Sequence, residues 1–123
     1  MHEHVFPWHL FHQGERIGIY GGGRVGRDFY RQVRWYDYID VAVIVDEKEC
    51  PYIPDVPVKP VNALIEAKVD AVLIAEIDEG KACEIQKNLV DMGIAEEMIR
   101  WDGTKYRRHD FFQNYYFPKL QKA

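Results

Sequence analysis

The chain has 123 residues, of which 47% are apolar and 29% charged, and its net charge is −4. This length suits one domain with a real hydrophobic core and leaves no room for a separate substrate domain. The composition excludes a disordered chain, and no apolar run approaches the roughly 18 residues of a membrane-spanning helix.

Charge is distributed unevenly along the sequence. Residues 37–102 carry sixteen acidic and six basic residues, whereas residues 103–123 carry five basic residues and one acidic residue. Because binding to nucleic acid requires Lys and Arg to neutralise phosphates, we expect no nucleic-acid partner. The basic end is expected either to keep the chain soluble or to contact an acidic partner.

No targeting segment is evident in the sequence. Residues 1–4 lack the basic and apolar regions of a signal peptide, and Cys50 and Cys83 fit neither a disulfide framework nor a zinc pattern. The sequence therefore predicts a cytoplasmic protein with reduced thiols and no membrane partner.

Residues 1–14 form an N-terminal arm rich in histidine and aromatic residues. We expect this arm to pack loosely, because terminal segments are often mobile. His9 and His12 could bind a metal from one helix face, but Pro7 and Gly14 leave room for a short turn at most, so no metal site is predicted. The arm is expected to cover a sheet edge or a partner with four apolar side chains: Phe6, Trp8, Leu10 and Phe11.

Between residues 15 and 102, short apolar runs alternate with segments of helical periodicity. The predicted strands are 16–20, 41–45, 56–58, 69–75 and 98–101, and the predicted helices are 24–35, one that starts at Pro60, and 79–92. This alternation is typical of an α/β fold with helices on both faces of a parallel sheet. We predict a three-layer, Rossmann-like open sheet of about five strands in the order 3-2-1-4-5.

A glycine-rich turn is the most specific motif in the chain. Residues 21–26, Gly-Gly-Gly-Arg-Val-Gly, match G-x-G-x-x-G between a predicted strand and a predicted helix. In this motif Gly21 makes the tight turn, Gly23 lets a pyrophosphate approach the backbone, and Gly26 lets the helix pack closely. Arg24 places a cation in the first helical turn, where it opposes the helix dipole. A bound anion would explain it, and an ordinary solvated arginine explains it equally well.

An acidic residue ends the second predicted strand. Asp46 lies twenty positions after Gly26, where a carboxylate can accept the hydroxyls of an adenosine ribose and repel a 2′-phosphate. The sequence therefore favours NAD over NADP. A methyltransferase is less favoured, because Tyr20 and not an acidic residue precedes Gly21. The remaining alternative is a glycine turn that serves packing alone.

No catalytic constellation is convincing. Tyr115 and Lys119 have the spacing of a short-chain dehydrogenase pair, but Pro118 would disrupt the helix that the pair requires. We therefore assign no catalytic residue, and the isolated chain is not expected to be an enzyme by itself. Residues 104–123 are rich in aromatic residues and are expected to form a homodimer contact, dock to a partner enzyme domain or pack back on the chain.

Several segments together resemble a known group of domains. The matching segments are 15–30, 43–46, 56–58, 69–75, 93–94 and 99–101. They resemble the N-terminal Rossmann-like domain of bacterial enzymes that modify sugar nucleotides for surface polysaccharides, and related modules fused to glycosyltransferases. The resemblance covers roughly residues 14–102 and implies a pocket for NAD, a nucleotide sugar or CoA.

Nine residues are the candidate cofactor-binding residues: Gly21, Gly22, Gly23, Arg24, Val25, Gly26, Asp46, Ala75 and Glu76. Glu76 departs from the family pattern, which more often has an uncharged residue there, and its carboxylate is expected to face the ligand and disfavour a phosphate. The sequence thus predicts a non-catalytic or part-enzyme nucleotide-binding module. The alternative is an interaction or dimerisation domain with an inactive nucleotide site.

Overall fold

A five-stranded parallel sheet forms the centre of the computed structural model, which describes residues 4–48 and 57–103. Its strands are β1 (Arg16–Tyr20), β2 (Asp40–Val45), β3 (Val58–Lys59), β4 (Ala71–Ile74) and β5 (Ile99–Arg100). They lie in the order β3-β2-β1-β4-β5, and each neighbouring pair is parallel. The predicted fold class and strand order are confirmed.

Three α-helices connect the strands: α1 (Arg24–Val33), α2 (Ala63–Ala67) and α3 (Glu79–Asp91). Asp78 caps the start of α3, and its side chain accepts a hydrogen bond from the Lys81 backbone N–H at 2.9 Å. Helix α2 begins three residues after the predicted start at Pro60, and Lys68, in a left-handed conformation (φ 51°), ends it after about one turn. Among the described residues, no helix is long and apolar enough to cross a membrane.

The strands direct alternate side chains to the two faces of the sheet. Ile17 and Ile19 of β1 pack with Phe29 of α1 on one face, here called the α1 face. Tyr20 packs with Leu64 of α2 and residues of α3 on the opposite, α2/α3 face. The strands are therefore buried on both sides, as expected of a parallel sheet.

The N-terminal segment is part of the hydrophobic core, and the prediction of loose packing is wrong. Phe6 is 0% and Trp8 2% exposed, and the Phe6 ring lies 5.4 Å from the rings of both Phe11 and Phe29. These side chains cover the α1 face of the sheet, where they pack with Leu73 of β4. The segment is needed there because both α2 and α3 lie on the opposite face.

Buried polar contacts fasten this segment to α1. His4 Nδ1 lies 2.7 Å from Asp28 Oδ2, and the Gln32 side-chain amide donates to the carbonyl of His4. The same Gln32 side chain accepts a hydrogen bond from the Phe6 backbone N–H at 2.9 Å. The two polar residues that α1 buries therefore hold the N-terminal segment in place.

An ion pair joins the start of β1 to the edge strand β5. Glu15 accepts two hydrogen bonds from the Arg100 guanidinium, at 2.7 and 2.9 Å. Arg100 also donates to the carbonyl of Leu10 at 2.8 Å. The hydrogen bond from Arg100 lowers the pKa of Glu15 below its usual 4.5.

This lowered pKa predicts a pH-dependent contribution to stability. A carboxylate with a depressed pKa stabilises the fold above its unfolded pKa, and the contribution is lost as pH falls through the folded pKa. Replacing Glu15 by glutamine should lower the free energy of unfolding by about 1 kcal/mol at neutral pH. Urea titrations of both proteins should show this difference shrinking below pH 4.5. If the difference in unfolding free energy between the two proteins stays the same below pH 4.5, the ion pair with Arg100 is not its source.

Some predicted features lie outside the described residues. One is the reduced thiol predicted for Cys50. The others are residue 56, at the start of the predicted strand 56–58, and the predicted interface at 104–123.

Candidate functional site

A crevice of about 550 Å³ opens at the carboxyl ends of β1, β2 and β4. It is lined by Tyr20, Gly21, Gly23, Arg24, Val25, Asp46, Glu47, Lys48, Ala75, Glu76, Lys81, Glu84, Ile85 and Asn88. From β1 the chain first adds β2 and β3 on one side and then crosses to add β4 and β5 on the other side. In open α/β sheets ligands bind at such a switch point. Seven of the nine predicted residues line this crevice.

The other two predicted residues, Gly22 and Gly26, are buried within the glycine turn. Backbone hydrogen bonds fix this turn against β2. The Gly21 N–H donates to the Val45 carbonyl at 2.8 Å, and the Gly22 N–H donates to Asp46 Oδ2 at 2.8 Å. The start of α1 is thereby held at the mouth of the crevice.

Packing requires glycine at two positions of the turn. Gly21 has φ +133°, and a Cβ there would lie 2.9 Å from the Ala75 carbonyl oxygen. A Cβ on Gly26 would lie 1.8 Å from the Gly21 carbonyl oxygen, so α1 could not keep its position. These two glycines are explained by the fold alone, with or without a ligand.

Gly23 differs from these two residues. A Cβ on Gly23 would meet no atom within 4 Å, and its backbone is extended (φ −85°, ψ −151°), without the positive φ that favours glycine. Gly23 precedes α1 and lines the crevice. The packing of the described residues therefore gives no reason for glycine at this position.

Asp46 lies where the second strand ends and is bonded to backbone amides. Its Oδ2 accepts from Gly22, and its Oδ1 accepts from the Lys48 N–H at 3.2 Å. Asp46 thus orients the glycine turn and still lines the crevice.

The Glu76 carboxylate turns towards the chain that follows it. Its Oε2 accepts from the N–H groups of Ile77 and Asp78, at 2.8 and 3.0 Å. Two backbone donors partly neutralise this charge, so the repulsion expected from a carboxylate facing the crevice is reduced. Before it, Ala75 donates its N–H to the Tyr20 carbonyl at 2.9 Å and extends the contact of β4 with β1.

A tyrosine and a glutamate form a further hydrogen bond in the crevice. The Tyr20 hydroxyl donates to Glu47 Oε1 at 3.0 Å. Burial, and then this hydrogen bond to a carboxylate, raise the pKa of Tyr20. Tyr20 therefore stays protonated and keeps the Glu47 side chain against the crevice wall.

Three cationic side chains line the same space. Arg24 begins α1, Lys48 follows β2, and Lys81 lies in the first turn of α3. Within residues 4–48 and 57–103, none of these three side chains makes an ion pair. Three lining carboxylates, by contrast, already accept hydrogen bonds: Asp46, Glu47 and Glu76. The fourth lining carboxylate, Glu84, accepts no hydrogen bond from the described residues, so one such carboxylate stands against the three cations.

The sequence analysis missed the wall that α3 contributes. Lys81, Glu84, Ile85 and Asn88 follow the i, i+3, i+4, i+7 spacing of one helix face. Ile85 also packs against the buried side of α3, which the hydrophobic pattern marks. The three polar residues beside it give no hydrophobic signal, so the pattern does not find them. The signal that could have found this wall is the position of α3 directly after a strand that ends at the switch point.

The arrangement can bind and orient an anionic ligand. The first backbone N–H groups of a helix lack partners within that helix, and at α1 they lie beside Arg24 and the open space above Gly23. Among the residues that the structure describes, no group of three or more His, Cys, Asp or Glu side chains could hold a metal ion.

No protein-family model, curated protein or solved structure gives a significant match to this chain.

Proposed function

We propose that the chain is a nucleotide-binding Rossmann module that takes NAD or a nucleotide sugar in the crevice. Its role is that of a non-catalytic domain, or of one part of an enzyme. The observation that carries the proposal is Gly23, a glycine that faces open crevice and that packing does not require. A diphosphate lying on the start of α1 would need that space.

The charges in the crevice support a phosphate-bearing ligand. A diphosphate brings negative charge to the start of α1, where the helix dipole and Arg24 both favour it. Lys48 and Lys81 add two further cations along the walls. Because the Glu76 carboxylate is bonded to two amides, it opposes this charge less than the sequence predicts.

Asp46 supports a ligand with a free ribose. Its carboxylate lines the crevice directly after β2, the position from which an acidic residue bonds ribose hydroxyls in dinucleotide-binding folds. The same negative charge would repel a 2′-phosphate, which favours NAD over NADP. The crevice volume of about 550 Å³ falls within the range of small-molecule sites.

The pathway rests on the resemblance of the sequence alone. On that basis, the module would serve bacterial surface-polysaccharide or sugar-nucleotide metabolism beside a sugar-nucleotide-modifying enzyme or a glycosyltransferase. The chemical step would then belong to the partner domain, and this chain would hold the nucleotide. A cytoplasmic location, where nucleotide ligands are made, belongs to the same proposal.

A second candidate is an interaction or dimerisation domain with an inactive nucleotide site. The observation that favours it is Trp35, which follows α1 and is 76% exposed. An exposed tryptophan beside a groove that Tyr36 and Val41 line is typical of a contact surface. A dimer that Trp35→Ala dissociates in light scattering, formed by a chain that binds no nucleotide, supports the second candidate; a Trp35→Ala variant with unchanged mass counts against it.

Calorimetric titration tests the nucleotide proposal. The full chain should bind NAD or a UDP-sugar with a dissociation constant below 1 mM, which corresponds to about 4 kcal/mol of binding free energy. A Gly23→Leu variant should bind at least about tenfold more weakly, since its side chain would fill the phosphate position. Unchanged affinity in a folded Gly23→Leu variant would place the ligand elsewhere, and no binding by the wild type would refute the proposal.

A further inference from the structure

The wall of the crevice formed by α3 combines one apolar and three polar side chains. Ile85 is half-buried, and Lys81, Glu84 and Asn88 surround it on the exposed helix face. Residues three and four positions apart on a helix have Cβ atoms about 5–6 Å apart, so Glu84 and Asn88 can reach neighbouring atoms of one planar ring. Ile85 offers that ring an apolar surface.

The polar groups of this wall are available to a ligand. Among the described residues, the side chains of Lys81, Glu84 and Asn88 make no hydrogen bond and no ion pair. The other lining carboxylates, Asp46, Glu47 and Glu76, accept hydrogen bonds from the chain itself. Glu84 is therefore the carboxylate of the crevice with both oxygens open to a donor from the ligand.

We infer that Glu84 and Asn88 read the edge of a nucleobase that carries an exocyclic amino group, as adenine does. This inference rests on the proposed function. The adenine amino group donates to the Glu84 carboxylate, and ring nitrogen N7 accepts from the Asn88 amide, so the two side chains share the N6/N7 edge of adenine. On this edge hypoxanthine presents its O6 carbonyl oxygen in place of the amino group, and the Glu84 carboxylate repels it; uracil has neither the amino group nor N7.

The location of the two residues agrees with the rest of the site. Asp46 follows β2 and the glycine turn follows β1, so a ribose at Asp46 and a diphosphate at α1 leave the base on the α2/α3 face. Tyr20 lies on that face and lines the same crevice. The base would therefore lie between the end of β2 and the Ile85 surface of α3.

Binding of NAD and of nicotinamide hypoxanthine dinucleotide, in which oxygen replaces the adenine amino group and N1 carries a hydrogen, tests this inference. The wild-type chain should bind NAD about tenfold more tightly, the effect of one hydrogen bond to a charged group. In the Glu84→Gln variant the ratio of the two dissociation constants should fall below about threefold, because an amide can donate to the hypoxanthine oxygen as well as accept from the amino group.

The matched control is Glu79→Gln, which removes the same charge from the same helix at a position that does not line the crevice. It should keep the wild-type ratio. Equal binding of both dinucleotides by the wild type, an unchanged ratio in Glu84→Gln, or tighter binding of a UDP-sugar than of NAD would overturn the base assignment and leave the proposed function standing. If no nucleotide binds, the proposed function and this inference both fail.

Discussion

Replacing Gly26 by alanine should lower the free energy of unfolding by at least about 3 kcal/mol, the upper end of the usual effect of overpacking. The added Cβ would lie 1.8 Å from the Gly21 carbonyl oxygen, and a backbone oxygen cannot move aside as a flexible side chain can. Helix α1 would have to shift away from β1, which exposes part of the α1 face. Urea unfolding followed by circular dichroism measures the loss.

Gly23→Ala is the matched control for this experiment. Its Cβ would meet no atom within 4 Å, and alanine accepts the φ of −85°. The variant should therefore stay within about 1 kcal/mol of the wild type, the usual effect at a helix N-cap. Equal losses for the two variants would contradict the division into a glycine that packing requires and one that a ligand requires.

Replacing Phe6 by alanine should destabilise the protein by about 3–5 kcal/mol, the usual effect of removing a buried phenylalanine. Phe6 is 0% exposed and contacts the rings of Trp8, Phe11 and Phe29. A domain of this size is typically stable by about 5–15 kcal/mol, so the loss would be a large fraction of the total stability. Thermal and urea denaturation both report the change.

Trp35→Ala is the control for the loss of an aromatic ring. Trp35 is 76% exposed, so its replacement should change the unfolding free energy by less than about 0.5 kcal/mol. If Phe6→Ala is tolerated as well as Trp35→Ala, the N-terminal segment is the loosely packed arm that its sequence predicts and not part of the core.

The strand order could be predicted because the sequence marks the buried strands strongly. The β-branched run 41–45 and the apolar run 71–75 are hydrophobic without alternation, which is the pattern of strands covered on both faces. Helical segments between them imply right-handed crossovers, and these rules leave few possible orders. The position of Asp46 beside the glycine turn follows from the same topology.

Other features depend on contacts that no periodic pattern encodes. The buried segment around Phe6 contains Pro7 and a single turn of 3-10 helix, so it has neither the helical nor the strand period. The direction of the Glu76 carboxylate is set by the two amides that follow it. In the sequence, the polar face of α3 has the same pattern as an ordinary solvated face. Its role as a crevice wall follows from the position of α3 next to the sheet.

The most direct test of the nucleotide site is a titration of the isotopically labelled full chain with NAD, followed by amide chemical shifts. The account predicts that the largest shifts occur in the turn 21–26 and in Asp46 and Lys48, with smaller shifts along α3 from Lys81 to Asn88. Absence of shifts at millimolar NAD and UDP-sugar, or shifts confined to the Trp35 end of α1, would contradict it.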